Sequence, residues 1–213
     1  MKVVIIGVGT SAMTTADILV ADHNFSVAGF VGIAEENKIF SGKKVYSNIP
    51  YLGDRSILKK IKDNDVVGFI AAIGNRYLRE DAYYEASLAG LAPINAISKN
   101  AFIEPTVKLG KGVFVGPGSI LLHKAVVGDN CIIGEGVIAE FNTKIGENCN
   151  IDTGSIIGGN SSIERNVSVG IRSTIYRDIK VGKNQNIEPG LICKENLPSL
   201  KRADNIKKKN NEI

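Results

Sequence analysis

Val127–Gly158 reads VGDNCIIGEGVIAEFNTKIGENCNIDTGSIIG, and within it an apolar residue returns at every sixth position: Val127, Ile133, Ala139, Ile145, Ile151 and Ile157. The same step continues backward through Leu121, Val115, Leu109 and Ile103. It continues forward through Ile163, Val169, Ile175, Val181, Ile187 and Cys193. All sixteen positions are apolar, and at a 44% apolar background chance would give that roughly twice in a million. Glycine follows half of them, at positions 110, 116, 128, 134, 146, 158, 170 and 182.

Self-similarity at a fixed short period marks a solenoid. Each six-residue unit reads as a short strand plus a turn, and three units close a triangular coil of 18 residues. The expected fold is a left-handed parallel β-helix. The periodic aliphatic points inward and stacks on its counterpart one coil away. The glycine after it relieves Cβ clashes at the turn. Two residues before each aliphatic lies a second inward position, filled by Val107, Val113, Ser119, Ala125, Cys131, Val137, Thr143, Cys149, Ser155, Ser161, Val167 and Ser173. They are mostly small, as a narrow interior requires. Cys131 and Cys149 are 18 apart and should stack as interior filler rather than as a metal or redox pair. About five coils at one strand spacing each give a prism on the order of 25 Å long.

The first 93 residues have a different rhythm. Lys2–Ile6 is a β-rich apolar run, followed by Gly7-Val8-Gly9-Thr10-Ser11 and a helical pattern through Met13, Ala16, Ile18 and Leu19. Ser26–Val31 reads as a second strand, Ile57–Ile61 as a short helix, and Asp65–Ala72 as a third strand ending in Ile73-Gly74-Asn75. Arg76–Leu88 is an amphipathic helix capped by Gly90. Strands alternating with helices imply a parallel sheet in a Rossmann-like α/β module. Ligands bind such sheets outside the carboxyl ends of the strands, which makes Gly7, Gly9, Thr10, Ser11, Gly74 and Asn75 candidate binding residues. The G-x-G-x-x-G fingerprint is completed only by Ala12, and Phe30-Val31-Gly32-Ile33 lacks the acidic residue that holds a dinucleotide ribose. A phosphate at the helix N-terminus fits better than NAD. The chain therefore divides into residues 1–93, the prism at 94–197, and a tail at 198–213.

Composition bounds the alternatives. The 213 residues carry a net charge of +4. The tail holds Lys201, Arg202, Lys207, Lys208 and Lys209 against Asp204 and Glu212, so +3 of that charge lies there. A near-neutral body and the absence of tryptophan speak against nucleic acid as a partner. No apolar run reaches the roughly 18–20 residues of a membrane span. The apolar start runs into a glycine-rich turn, as a first strand does and a signal peptide does not. A cytoplasmic protein with three reduced cysteines is expected. No metal site is expected.

A small Rossmann-like module followed by a hexapeptide prism resembles the sialic-acid O-acetyltransferase type of sugar O-/N-acetyltransferases, which includes bacterial enzymes acting on nucleotide-linked amino sugars. The matching segments are Ile5-Ile6-Gly7-Val8-Gly9, Ala72-Ile73-Gly74-Asn75 with Arg79, Ile94-Asn95 through Gly182, and Gly154–Asn160 (GSIIGGN). The resemblance implies acetyl transfer from acetyl-CoA to a sugar amine or hydroxyl, in surface-glycan biosynthesis, at clefts between the prisms of a homotrimer. It places the nucleotide-linked sugar on the N-terminal module. It places acetyl-CoA near Asn150, where the family has a second histidine, and near the turns at Ile171 and Gly190.

The resemblance also implies a histidine base between two acids, and there this chain departs from it. The segment reads Glu140-Phe141-Asn142: Glu140 keeps the first acid, Phe141 occupies the histidine's place, and Asn142 replaces the second acid. His123 lies 18 residues earlier, on the same edge one coil lower, a displacement of roughly 4.8 Å. Catalysis then rests on His123 and Glu140, or on proximity alone with a neutral amine acceptor. The alternatives are a trimeric binding or scaffold protein that has lost catalysis, or another enzyme on the same prism: a formyl or succinyl transferase, or a nucleotide-sugar isomerase.

Overall fold

The computed structural model describes residues 1–21, 25–61 and 65–202. His23 and the tail after Arg202 lie outside them. Strand β1 (Lys2–Ile6) is central, with β2 (Ser26–Gly32) parallel on one side and β5 (Gly68–Ala71) parallel on the other. Alternate residues of β1 serve two cores. Val3 and Ile5 pack with Ala12, Ala16 and Leu19 of α1 (Thr10–Ala21). Val4 and Ile6 pack with Ala82 and Ala86 of α4 (Arg76–Leu88). This double burial explains why β1 reads as an unbroken apolar run.

Several elements differ from the expectation. β3 (Lys44–Tyr46) and β4 (Ile49–Asp54) extend the sheet beyond β2, giving the order β3-β4-β2-β1-β5-β6, with β6 at Ala92–Pro93. Both were hidden by Pro50 and Gly53, which read as loop residues but sit near the sheet's edge, where proline is tolerated. The strand expected over Asp65–Ala72 is Gly68–Ala71, because Asp65 turns at φ 63°. The helix expected at Ile57–Ile61 is a 3-10 turn, Arg55–Ile57, running into α3 (Leu58–Ile61). α2 (Ala34–Phe40) was not anticipated. Arg76–Leu88 is helical as read, and Gly90 follows it at φ 84°.

From Ala96 onward the chain is a parallel β-helix of two-residue strands. Phe114 pairs with Ile132, Ile132 with Asn150 and Asn150 with Ser168, so the coil repeats every 18 residues. The register begins one strand earlier than Ile103, at Ala96–Ile97, which pairs with Phe114–Val115. The periodic aliphatics from Val115 to Ile187 are all buried, and Ile103, Leu109 and Cys193 at the ends are half-buried. Ser119, Ser155 and Ser173, at the second inward position, are buried and donate their hydroxyls to Gly134, Gly170 and Glu188 carbonyls. Cys131 and Cys149 stack as expected. Their thiols donate to the carbonyls of Gly146 and Glu164, and burial pushes the Cys131 thiol far up.

The glycine after each aliphatic has a specific cause. A Cβ on Gly116, Gly134 or Gly158 would lie 2.6–2.8 Å from a backbone nitrogen of the next coil. The left-handed residue sits two positions further along each turn. On one edge it is Gly112, Asn130, Asn148, Asn166 and Asn184; on another Gly118, Gly136, Gly154, Arg172 and Gly190; on the last Lys124, Asn142, Asn160 and Asp178. Asparagine is among the few side chains that accept this conformation.

The prism has three faces. The first (strand pairs at 96, 114, 132, 150, 168 and 186) packs under the N-terminal module, where Phe114 joins the α1 core. The second presents Phe102, Ile120, Ile138, Ile156, Thr174 and Ile192 outward, a ladder apolar but for Thr174, exposed at its two ends and half-buried between them. The third presents Lys108, Val126, Lys144, Ser162 and Lys180.

Candidate functional site

The β1–α1 turn and the end of β5 converge as expected. Gly7 stands at φ 127°, and a Cβ there would overlap the Ala72 carbonyl, so this position requires glycine. Gly9 and Gly74 have open space around their Cα atoms. Gly7, Gly9, Ser11 and Gly74 line a crevice of about 180 Å³ at the carboxyl ends of β1, β2 and β5. The strand order reverses there, the place where open parallel sheets hold ligands. Asn75 caps α4 by accepting from the Tyr77 and Leu78 amides. Its side-chain oxygen is committed to the helix, and Asn75 is not among the crevice-lining residues.

Two crevice residues were missed by the sequence reading. Glu36 lies on α2 and turns back to accept the Ile33 amide at 2.8 Å. It brings a carboxylate to the end of β2, where Gly32-Ile33 offers none. Arg55 lines the same crevice; its Nε lies 3.3 Å from Glu85, while its Nη1 is buried and has no hydrogen-bond partner. Neither was legible, because both reach the crevice through elements the periodicity did not reveal.

Beside the crevice, across Ser11, a cleft of about 350 Å³ opens between α1 and the prism. Thr10, Ser11, Thr14 and Thr15 form one wall. Phe114, Ile132, Glu135, Asp152, Thr153 and Ile171 form the other. Glu135 accepts the Thr153 hydroxyl. Burial raises the Asp152 carboxyl above the usual range, with the Arg79 charge opposing. This cleft therefore ends on the prism edge that carries Glu135, Thr153 and Ile171.

A polar seam fixes the module on the prism. Arg79 is 1% exposed; it donates to the carbonyls of Asn130, Ile73 and Cys149. Burial lowers its guanidinium to about 10, so it stays charged at neutral pH. Asn148 donates to the Arg76 carbonyl and Asn150 to the Gly74 carbonyl. Asn150 is thus a buried seam residue of the first face. Ile171 and Gly190 are linked by the Gly190 N–H to Ile171 carbonyl bond on the second edge. Of the three residues assigned to acetyl-CoA, Ile171 and Gly190 are adjacent on this edge, while Asn150 lies in the seam.

The third edge carries the candidate catalytic residues. His123 and Phe141 are successive: the Asn142 amide donates to the His123 carbonyl, and the Asn160 amide to the Phe141 carbonyl. The Phe141 ring lies over Gly159 of the next coil, where any Cβ would strike it. Glu140 does not reach toward His123; its carboxylate accepts the Gly159 amide at 2.7 Å. The partners of His123 are Thr106, whose Oγ1 is 3.0 Å from Nδ1, and Glu104, whose Oε2 is 3.7 Å away. Asn142 stands at φ 57° and donates to Asn160, which donates to Asp178, so it belongs to a side-chain ladder along this edge. Neither the crevice nor the cleft is lined by His123, Glu140 or Phe141. Among the described residues no group of His, Cys, Asp and Glu could hold a metal, and no helix could cross a membrane.

Residues 2–86 match the PglD N-terminal domain, and residues 106–138 match the bacterial transferase hexapeptide with its six repeats. The chain joins a PglD-type N-terminal domain to a hexapeptide transferase prism. No curated protein matches the sequence. Among solved structures, this chain resembles a histidine-to-asparagine variant of perosamine N-acetyltransferase from Caulobacter crescentus, in complex with CoA and GDP-perosamine. Identity is 25% over 93% of this chain and 91% of the other, with a TM-score of 0.71. The acetyltransferase domain of PglB from Neisseria gonorrhoeae FA1090 shares the fold at 18% identity, over 92% and 93% of the two chains, with a TM-score of 0.68. WeeI from Acinetobacter baumannii AYE shares it at 15%, over 93% and 94%, with a TM-score of 0.64.

Proposed function

We propose that this acyltransferase moves the acetyl group of acetyl-CoA onto the amine of a nucleotide-linked amino sugar, in sites between the prisms of a homotrimer. The observation that carries this reading is the second face. It is apolar but for Thr174 and incompletely covered within the chain, and its two borders are the edge of Ile171 and Gly190 and the edge of His123 and Phe141. Three such faces packed around an axis set the second edge of one chain against the third edge of the next. The cleft beside α1 opens onto that second edge, so a sugar held there meets the His123 edge of the neighbouring chain. Glu135 and Asp152 give the cleft a negative charge that suits an amine. In the perosamine enzyme, a variant lacking a histidine still holds CoA and GDP-perosamine. On the reading that puts Phe141 in a histidine's place, that structure supports binding of both substrates here without the histidine.

In the transfer, the neutral amine attacks the thioester carbonyl, and the C–S bond breaks to release CoA thiolate. The ammonium proton passes to a base, and His123 is suited to accept it. Glu104 beside Nδ1 favours the tautomer with the proton on that nitrogen, donating to Thr106, whose oxygen also accepts the Lys124 amide. That tautomer leaves Nε2 as the nitrogen with a free lone pair, on a side chain 53% exposed.

The test mixes the full chain with acetyl-CoA and a panel of UDP-, GDP- and dTDP-linked amino sugars and follows CoA release. Turnover with one acceptor supports the reading. Phe141 at the base position favours a second reading, a trimeric binder without turnover. Tight nucleotide-sugar binding with no CoA release from any acceptor would establish it.

A further inference from the structure

We propose that Asp152 is a catalytic residue of the cleft: its carboxylate takes the first proton from the acceptor's ammonium group and so makes the nucleophile. The inference rests on the reading of the cleft as the place of the acceptor sugar. It supplies a step which that reading leaves open.

An alkyl amine holds a proton at neutral pH, and an ammonium has no lone pair with which to attack a thioester. Two protons must therefore leave the nitrogen, one before the C–N bond forms and one after. His123 on the neighbouring chain's edge is suited to the second. The first needs an acceptor inside the cleft, where the sugar waits for the donor. Among the described residues, the titratable side chains lining the cleft are Glu135 and Asp152. The α1 wall brings hydroxyls alone, and those of Thr14 and Thr15 donate back to the Thr10 and Ser11 carbonyls.

The two acids are not equivalent. Glu135 accepts the Thr153 hydroxyl on Oε2 at 2.8 Å and is partly spent. Asp152 is half-buried, and among the described residues its carboxylate accepts no hydrogen bond. Arg79 acts on it through charge, but its donors go to the carbonyls of Asn130, Ile73 and Cys149. A carboxylate withdrawn from water without a hydrogen bond is costly, and an ammonium N–H is the donor it lacks. Burial then disfavours both charges of the pair. Passing the proton from nitrogen to oxygen leaves an amine and a carboxylic acid, both neutral. Burial raises the Asp152 carboxyl and Glu135 adds to the rise, with Arg79 opposing, so the gap to the amine is narrowed. The step balances. The carboxyl O–H forms as the N–H breaks, and the freed lone pair attacks the thioester carbon. The C–S bond breaks to CoA thiolate, and the second proton leaves the nitrogen for His123.

The experiment follows CoA release by the full chain and by Asp152→Asn, with an amino-sugar acceptor that turns over, from about pH 6 to about pH 9. Thermal melts confirm folding, and Asp152→Ser serves if the asparagine variant is unfolded. At pH 7 the variant should lose about 10²-fold in kcat/KM. That loss should shrink by about tenfold per pH unit as solvent deprotonates the amine unaided. An unchanged kcat/KM in the variant would overturn the role of Asp152 and leave acetyl transfer standing. A loss that stays constant across the pH range would overturn the proton transfer, because a residue that merely holds the sugar gives that result. No CoA release by the unmodified chain with any acceptor would overturn the reading of the cleft, and this step with it.

Discussion

His123 is where the chemistry is most exposed to test. Removing a positioned general base typically costs 10²–10⁴-fold, so His123→Ala should lower kcat by about 10²-fold or more while leaving nucleotide binding intact. Thr106→Val should cost less, because it frees the ring's orientation without removing the base. An unchanged kcat for His123→Ala would show that the proton leaves by another route. Asp152 offers a test with a pH sign. Its folded carboxyl is raised by burial, so the folded state holds its proton at a pH where the unfolded chain has lost it. The stability this contributes is fully present below the ordinary carboxylate range and is lost as pH rises through the raised value. Asp152→Asn should therefore melt higher than the unmodified chain at pH 7, and that advantage should shrink toward pH 4. If Asp152 also faces the acceptor amine, the same variant raises KM for the sugar.

At the scale of the coil, the turn residues and the close-packed glycines are separate requirements. Asn160 sits at φ 61° and joins Asn142 to Asp178. Asn160→Gly keeps the conformation and loses the ladder; Asn160→Ala loses both, and should be the less stable by about 1 kcal/mol in denaturant unfolding. Gly158→Ala should cost more than either, because its Cβ would meet the Arg177 amide nitrogen at 2.6 Å. The prism was legible because its period repeats sixteen times and each inward position is filled by the same kind of residue. The same count put His123 and Phe141 on one edge. Glu104 and Thr106 as the partners of His123 were not legible: they stand 19 and 17 residues before it, and nothing in a repeat says which exposed side chains turn toward each other. Glu140 is a candidate catalytic acid in the sequence, but its carboxylate is held by the Gly159 amide. In the N-terminal module, β3 and β4 were obscured by Pro50 and Gly53, and with them went the route by which Arg55 reaches the crevice.

For the whole molecule the question is what covers the second face. An apolar ladder from Phe102 to Ile192 left to water would be an association surface, and the lysines of the third face leave the second as the one suited to a threefold contact. In the proposed trimer, the cleft beside α1 and the His123 edge lie on opposite borders of the second face, so one chain alone would not bring the two halves of the proposed site together. Ile138 lies mid-ladder, half-buried in the lone chain. Ile138→Glu would place three carboxylates against one another near the axis, each losing water without gaining a partner. Sedimentation should then fall from a species of about three times 22.8 kDa to one of 22.8 kDa. CoA release should disappear with it, while the crevice, which is built within one chain, should still bind nucleoside diphosphate. A monomer that retained turnover would remove the need for a neighbouring edge and return the search for the base to the cleft, where Asp152 already stands beside the sugar's expected path.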